Sequence, residues 1–180
     1  MSAAAARSTK AVPGPPRPGL SRTVAPPAWW RDPWAWAGLL AVAPLVLHSL
    51  GAPLGVPCAD DFYHLHHALF SPRQTWLDNG GSLSYWRPLA YQGYYGLLSN
   101  VILAWPLAIA ALHVALLALA VLLLYRTARR FMPGPWAASA ASFPVLAEST
   151  RALITVPIHF VDVGLIVFSA LALHEAAAGR

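Results

Sequence analysis

Asp60 and Asp61 stand side by side in the segment Pro57-Cys58-Ala59-Asp60-Asp61-Phe62-Tyr63-His64-Leu65-His66-His67, which follows a long apolar run. Two adjacent carboxylates can divide the work of a reaction. One takes the proton of an attacking hydroxyl as general base, and the other orients that group or holds a cation. Helical spacing over residues 60 to 70 places Asp60, His64 and His67 on one face, as i, i+4 and i+7. Carboxylates and imidazoles at that spacing suit a divalent ion such as Zn²⁺ or Mn²⁺, which makes Asp60, His64 and His67 the candidate metal ligands. No HExxH or cysteine-based pattern accompanies them, and the plainer alternative is an amphipathic helix with surface histidines.

Arg87 carries the second signal. It precedes Pro88 and sits between aromatic residues, so its backbone is extended and its planar fork of donors suits a phosphate or pyrophosphate. The alternative is a cationic anchor that snorkels to a membrane surface. Glu148 and Arg151, with His64, are further candidates for contacting a substrate, and Asp162 is a weaker one. His113, deep in an apolar run, reads as a packed interhelical residue.

These groups stand out because the rest of the chain is so apolar. Hydrophobic residues make up 57% and charged residues 11% of the chain, with a mean hydropathy of +0.51. An ordinary soluble domain carries about 25% charged residues. No Asp, Glu, Lys or Arg occurs between Asp32 and Asp60, between Arg87 and Arg126, or between Arg130 and Glu148. Uncharged stretches of that length read as membrane spans.

The expected fold is therefore all-α: a multi-span helical membrane protein with about four transmembrane helices, over about 34–54, 100–125, 133–148 and 158–176. A tail over 1–28, rich in Pro, Ala, Ser and Arg, reads as disordered and cytoplasmic, and 29–180 as the transmembrane domain. The loop over about 55–99 is expected outside the cytoplasm, with short interfacial helices and a turn at Asp78–Ser82. Arg7, Lys10, Arg17, Arg22 and Arg31 on one side, and Arg126, Arg129 and Arg130 after the second span, agree on a cytoplasmic amino terminus. Trp29, Trp30, Trp34 and Trp36 suit the headgroup layer. Pro44 is expected to kink the first span.

The net charge of +5 comes from these clusters and not from a basic stripe, so nucleic acid is not an expected partner. No glycine-rich phosphate loop or nucleotide-binding pattern is present, so no nucleotide cofactor is expected. The single cysteine, Cys58, excludes an internal disulfide.

The acidic pair after the first span, Trp86-Arg87-Pro88-Leu89, Leu112-His113-Val114 leading to Leu124-Tyr125-Arg126, and the Phe-Pro-Val-x-x-Glu run from Phe143 to Glu148 together resemble the amino-terminal half of GT-C class membrane glycosyltransferases. The protein O-mannosyltransferase-like and tetratricopeptide-linked transferases are the nearest by pattern. The resemblance covers about Trp34 to Glu148 through short motifs. It implies a polyprenyl-phosphate sugar as donor and transfer to an acceptor hydroxyl at the extracytoplasmic face. Asp60 or Asp61 would be the base, Arg87 a contact to the donor phosphate, and Glu148 part of the cavity wall. The acidic partner expected after Glu148 comes later here, at Asp162. Members of the class have about twice as many spans, so the resemblance implies a bundle completed by further chain or by a second chain. The expected location is the plasma (inner) membrane, with membrane lipid and the lipid-linked donor as partners. The runner-up expectation is a non-catalytic multi-span protein whose outer loop serves assembly or ligand binding.

Overall fold

The computed structural model describes residues 28–71, 87–146 and 150–179. Helices form throughout, and no strand occurs among the described residues. Residues 1–27 of the expected tail, the turn at Asp78–Ser82 and Glu148 lie outside them.

A single 3₁₀ turn (Trp29–Arg31) leads into α1 (Pro33–Leu40) and α2 (Val42–Ser49). The first expected span is thus two short helices and not one kinked rod. Pro44 has no N–H for the Leu40 carbonyl and its ring crowds that group, so the break falls one turn upstream of the proline, at Ala41. The whole run Pro33–Ser49 rises only about 25 Å at 1.5 Å per residue, short of a hydrocarbon core of about 30 Å. α3 (Ala59–Phe70) follows, close to the expected interfacial helix, and Ser71 ends it.

The second expected span also divides. A π-helical segment (Leu89–Tyr95) runs into α4 (Gly96–Ala104), and α5 (Pro106–Ala128) begins afresh after Trp105. Pro106 is the reason: it fits the first turn of a helix but not its interior. α6 (Gly134–Leu146) and α7 (Thr150–Thr155) come next, then a 3₁₀ turn (Pro157–His159) and α8 (Phe160–Ala177).

Among the described residues, two helical runs are long and apolar enough to cross a membrane: Pro106–Ala128, with a mean hydropathy of 2.8, and Pro157–Ala177, with 1.7. Only 33% of the first and 11% of the second is covered by the rest of the described chain. A core helix of a soluble domain would be mostly buried. Leu107 on α5, Phe143 on α6 and Leu165 and Phe168 on α8 all face outward.

The long elements alternate in direction. Tyr125 and Arg129, at the end of α5, meet Asp32 before α1. Gly134, opening α6, lies against Trp34, and Thr127 meets His174 near the end of α8. These groups form one end of the bundle, which therefore gathers Arg31, Arg126, Arg129 and Arg130. At the opposite end Gly55 lies on the start of α5, and the Leu153 carbonyl accepts a hydrogen bond from His113. Small residues let α1 approach α6 closely, with Gly38 packed on the Ala138 backbone and Ala35, Ala137 and Ala141 buried. Leu117 and Val121 of α5, with Val163 of α8, continue that core, and a second cluster joins α3, the π-helical segment, α4 and α5.

Gly55 has φ +67, and a Cβ there would lie 2.0 Å from the Pro106 carbonyl oxygen. Both the left-handed backbone and the close approach demand glycine. Gly55→Ala is expected to cost about 2 kcal/mol or more of stability, read from the midpoint of thermal unfolding in detergent. A midpoint equal to wild type would show that the loop does not rest on α5.

Candidate functional site

The end of the bundle opposite the arginine cluster is built around the start of α3. Cys58 is extended (φ −137, ψ 163), and its N–H donates to Asp61 Oδ2 at 2.8 Å. That is the carboxylate half of a capping box, which satisfies a backbone donor otherwise left orphaned by the helix start. Asp61 Oδ1 accepts the Tyr95 hydroxyl at 2.6 Å. With both oxygens engaged and its side chain fully buried, Asp61 pins α3 to the π-helical segment. Asp60, a helical step of about 100° away, is exposed. The acidic pair is therefore split between an inside and an outside carboxylate.

His64 is buried, stacked on Tyr91 with ring centroids 4.5 Å apart and tilted toward Tyr95 at 5.1 Å. Its Nδ1 has no hydrogen-bond partner. His67 Nδ1 is 2.9 Å from Ser71 Oγ, and His66 is exposed. The candidate metal set of Asp60, His64 and His67 is thus not assembled: one member points to solvent, one lies between tyrosines and one closes the helix end. Among the described residues no three His, Cys, Asp or Glu side chains converge as metal ligands would.

Burial lowers the His64 pKa below its ordinary 6.5. His67 and Arg87 push the same way, and Asp61 and Asp60 push against them. The sign of the linkage follows. Folding holds His64 neutral, so its contribution is intact above about pH 6.5 and is lost as pH falls through 6.5 toward the depressed folded value. The thermal midpoint is expected to drop between pH 7 and pH 5.5, and to drop less in His64→Phe, which keeps the stacking without the titration. Equal drops in both proteins would remove His64 from this account.

The π-helical segment buries Ala90, Tyr91, Tyr94 and Tyr95. Its i→i+5 bonding widens the turn, so adjacent tyrosines serve two different neighbours. Tyr95 reaches α3. Tyr94 stacks flat on Phe160 of α8 at 4.2 Å and 6°. Its hydroxyl lies 3.1 Å from His113 Nε2. The Leu153 carbonyl can only accept, so His113 Nδ1 carries the proton and Nε2 accepts from Tyr94. His113 is packed between helices, as its sequence position implied. Burial and the nearby Asp61 push both tyrosine hydroxyls upward, keeping them protonated donors.

Arg87, just before this segment, lines a groove of about 790 Å³ between the segment with α4, α5 and α8. Its wall is otherwise apolar or aromatic, including Tyr94, Leu97, Leu112, Phe160 and Phe168. From Phe160 to Phe168 the groove follows α8 for about 12 Å, from the end opposite the arginine cluster into the bundle. Arg151 does not join Arg87. It lines a separate cavity of about 540 Å³ between the 52–58 loop and α7. Asp162 is exposed and 2.7 Å from His159 Nδ1.

Sequence reasoning missed the polar cluster at the other end. Asp32 accepts from Trp34 N–H at 3.1 Å and from Tyr125 O–H at 2.6 Å, with Arg129 Nε at 3.4 Å. Burial raises the Asp32 pKa, but these three donors outweigh it and hold the carboxyl below its usual range. An Asp immediately before a proline that opens an apolar helix is an N-cap signature, and it was there to be read. Comparison with family models, with curated proteins and with solved structures finds no match to this chain.

Proposed function

We propose that this chain is a GT-C-like membrane glycosyltransferase, or the amino-terminal portion of one, that takes its sugar from a polyprenyl-phosphate donor. The observation that carries the reading is the apolar groove in which Arg87 is, among the described residues, the only charged wall residue. A long isoprenoid fits the Leu- and Phe-lined length of such a groove, and its phosphate suits the Arg87 fork at the outer end. α1 with α2, α5, α6 and α8 cross the membrane alternately in this reading, the shorter ones by local thinning or by contact with further spans of the same or a second chain. The arginine-rich end faces the cytoplasm, and the plasma (inner) membrane is the site.

Asp60 is the base, since Asp61 already holds two donors. Asp60 takes the proton of the acceptor hydroxyl. The acceptor oxygen forms a bond to the anomeric carbon, and the bond from that carbon to the phosphate oxygen breaks, its electron pair leaving with the lipid phosphate. Arg87 offsets the charge gathering there. The test is transfer from a synthetic polyprenyl-phosphate sugar by wild type, Asp60→Asn and Arg87→Gln in proteoliposomes. Loss of transfer in both variants, with correct insertion, supports the reading, and wild-type transfer in Asp60→Asn removes the base. The second reading, a non-catalytic membrane protein whose outer end binds a ligand or partner, draws on the same Asp61: half of the acidic pair is occupied in holding α3.

A further inference from the structure

The two candidate arginines, Arg87 and Arg151, line different cavities. α3 packs through Asp61 and His64 on Tyr95 and Tyr91, and the same π-helical segment supplies Ala90, Gly93 and Tyr94 to the groove wall. The residues leading into α3, Val56, Pro57 and Cys58, line the second cavity with Ala52 and Pro53. α7 closes it with Arg151, Ala152, Thr155 and Val156. Asp60 follows Cys58 by two positions, on the first turn of α3, and is exposed. At about 540 Å³ the cavity falls within the range that holds small ligands.

We propose that this second cavity is the acceptor site, and that the acceptor is an amphipathic anion: a hydroxyl-bearing molecule with a phosphate or carboxylate for Arg151 and an apolar portion for Pro53, Val56 and Val156. Among the described residues Arg151 is the only charged group on the wall, and burial with the nearby Asp61 and Asp60 holds the Cys58 thiol in its neutral form. A guanidinium in an apolar wall gains most from a planar or tetrahedral oxyanion bound through two N–H groups, whereas a neutral sugar would leave it without a counter-charge. The acceptor role depends on the transferase reading; the preference for an amphipathic anion does not.

Cys58, the only cysteine of the chain, is exposed at this cavity and reports its occupancy. The full chain in phosphatidylcholine nanodiscs is treated with N-ethylmaleimide at pH 8, with hexyl phosphate, hexanol or inorganic phosphate as probe. Hexyl phosphate is expected to slow modification of Cys58 by about fivefold or more at saturation, and the other two much less. Arg151→Gln removes the protection and Arg87→Gln keeps it. Ala152→Leu, which fills the cavity and leaves Arg151 in place, abolishes the protection by hexyl phosphate. Protection that survives Arg151→Gln, or that hexanol gives equally, overturns the anion site, and equal protection by inorganic phosphate overturns its amphipathic character. The transferase reading fails on a different readout, retention of a labelled polyprenyl phosphate that is the same in Arg87→Gln as in wild type. Given transfer, a phosphorylated alcohol accepting sugar better than its dephosphorylated form supports the acceptor role, and the reverse preference overturns it.

Discussion

Asp60→Asn is expected to lower transfer by about 10²- to 10⁴-fold while leaving α3 folded, because a positioned general base contributes a factor of that size. Asp60 is exposed and accepts none of the hydrogen bonds that fix α3. Its amide replacement keeps the shape and removes only the ability to take a proton. The measurement is the initial rate of sugar transfer in proteoliposomes, with a circular dichroism spectrum of each variant. A rate within about twofold of wild type would leave no role for Asp60 in proton transfer. A parallel loss of helicity would assign the effect to folding and would equally count against the base.

Asp61→Asn, one residue along, should fail in the opposite way. Tyr95 O–H and Cys58 N–H both donate to the buried carboxylate, at 2.6 and 2.8 Å. An amide offers one oxygen to two donors and turns an NH₂ toward the other. Hydrogen bonds to a charged acceptor contribute about 1.5–3 kcal/mol each, so losing one and weakening the second should cost about 3 kcal/mol. Chemical unfolding in mixed micelles, followed by tryptophan fluorescence, reads this loss. Tyr95→Phe alone leaves a carboxylate oxygen unpaired, and each single change already removes the same hydrogen bond between Tyr95 and the carboxylate. The double variant should therefore be more stable than the sum of the single changes implies, by about 1 kcal/mol. Strict additivity would mean that the two side chains do not meet.

Residues within one turn of each other fixed much of what the sequence determined alone. The apolar runs and their spacing made the described residues all-α, and α3 ends at Ser71, where expected. Arginines after α5 and before α1 implied a shared end, which the Asp32 contacts to Tyr125 and Arg129 supply. The same local rules flagged Pro44 as a kink and, applied to Pro106, would have found the second break. The run of apolar residues around Pro106 hid it, since hydropathy reports burial and is silent on backbone bonding.

The tertiary structure decided which aspartate turns inward, because only the 34-residue separation to Tyr95 identifies a donor for Asp61 and leaves Asp60 outside. It likewise spread Asp60, His64 and His67 over three environments, although helical spacing alone aligned them. Arg87 and Arg151, equivalent as isolated cations near apolar segments, were assigned to different cavities by the helices that frame each one. Spacing along a chain sets which side chains share a face, but burial and hydrogen-bond partners come from elements far apart in sequence, and these decide what each face can do.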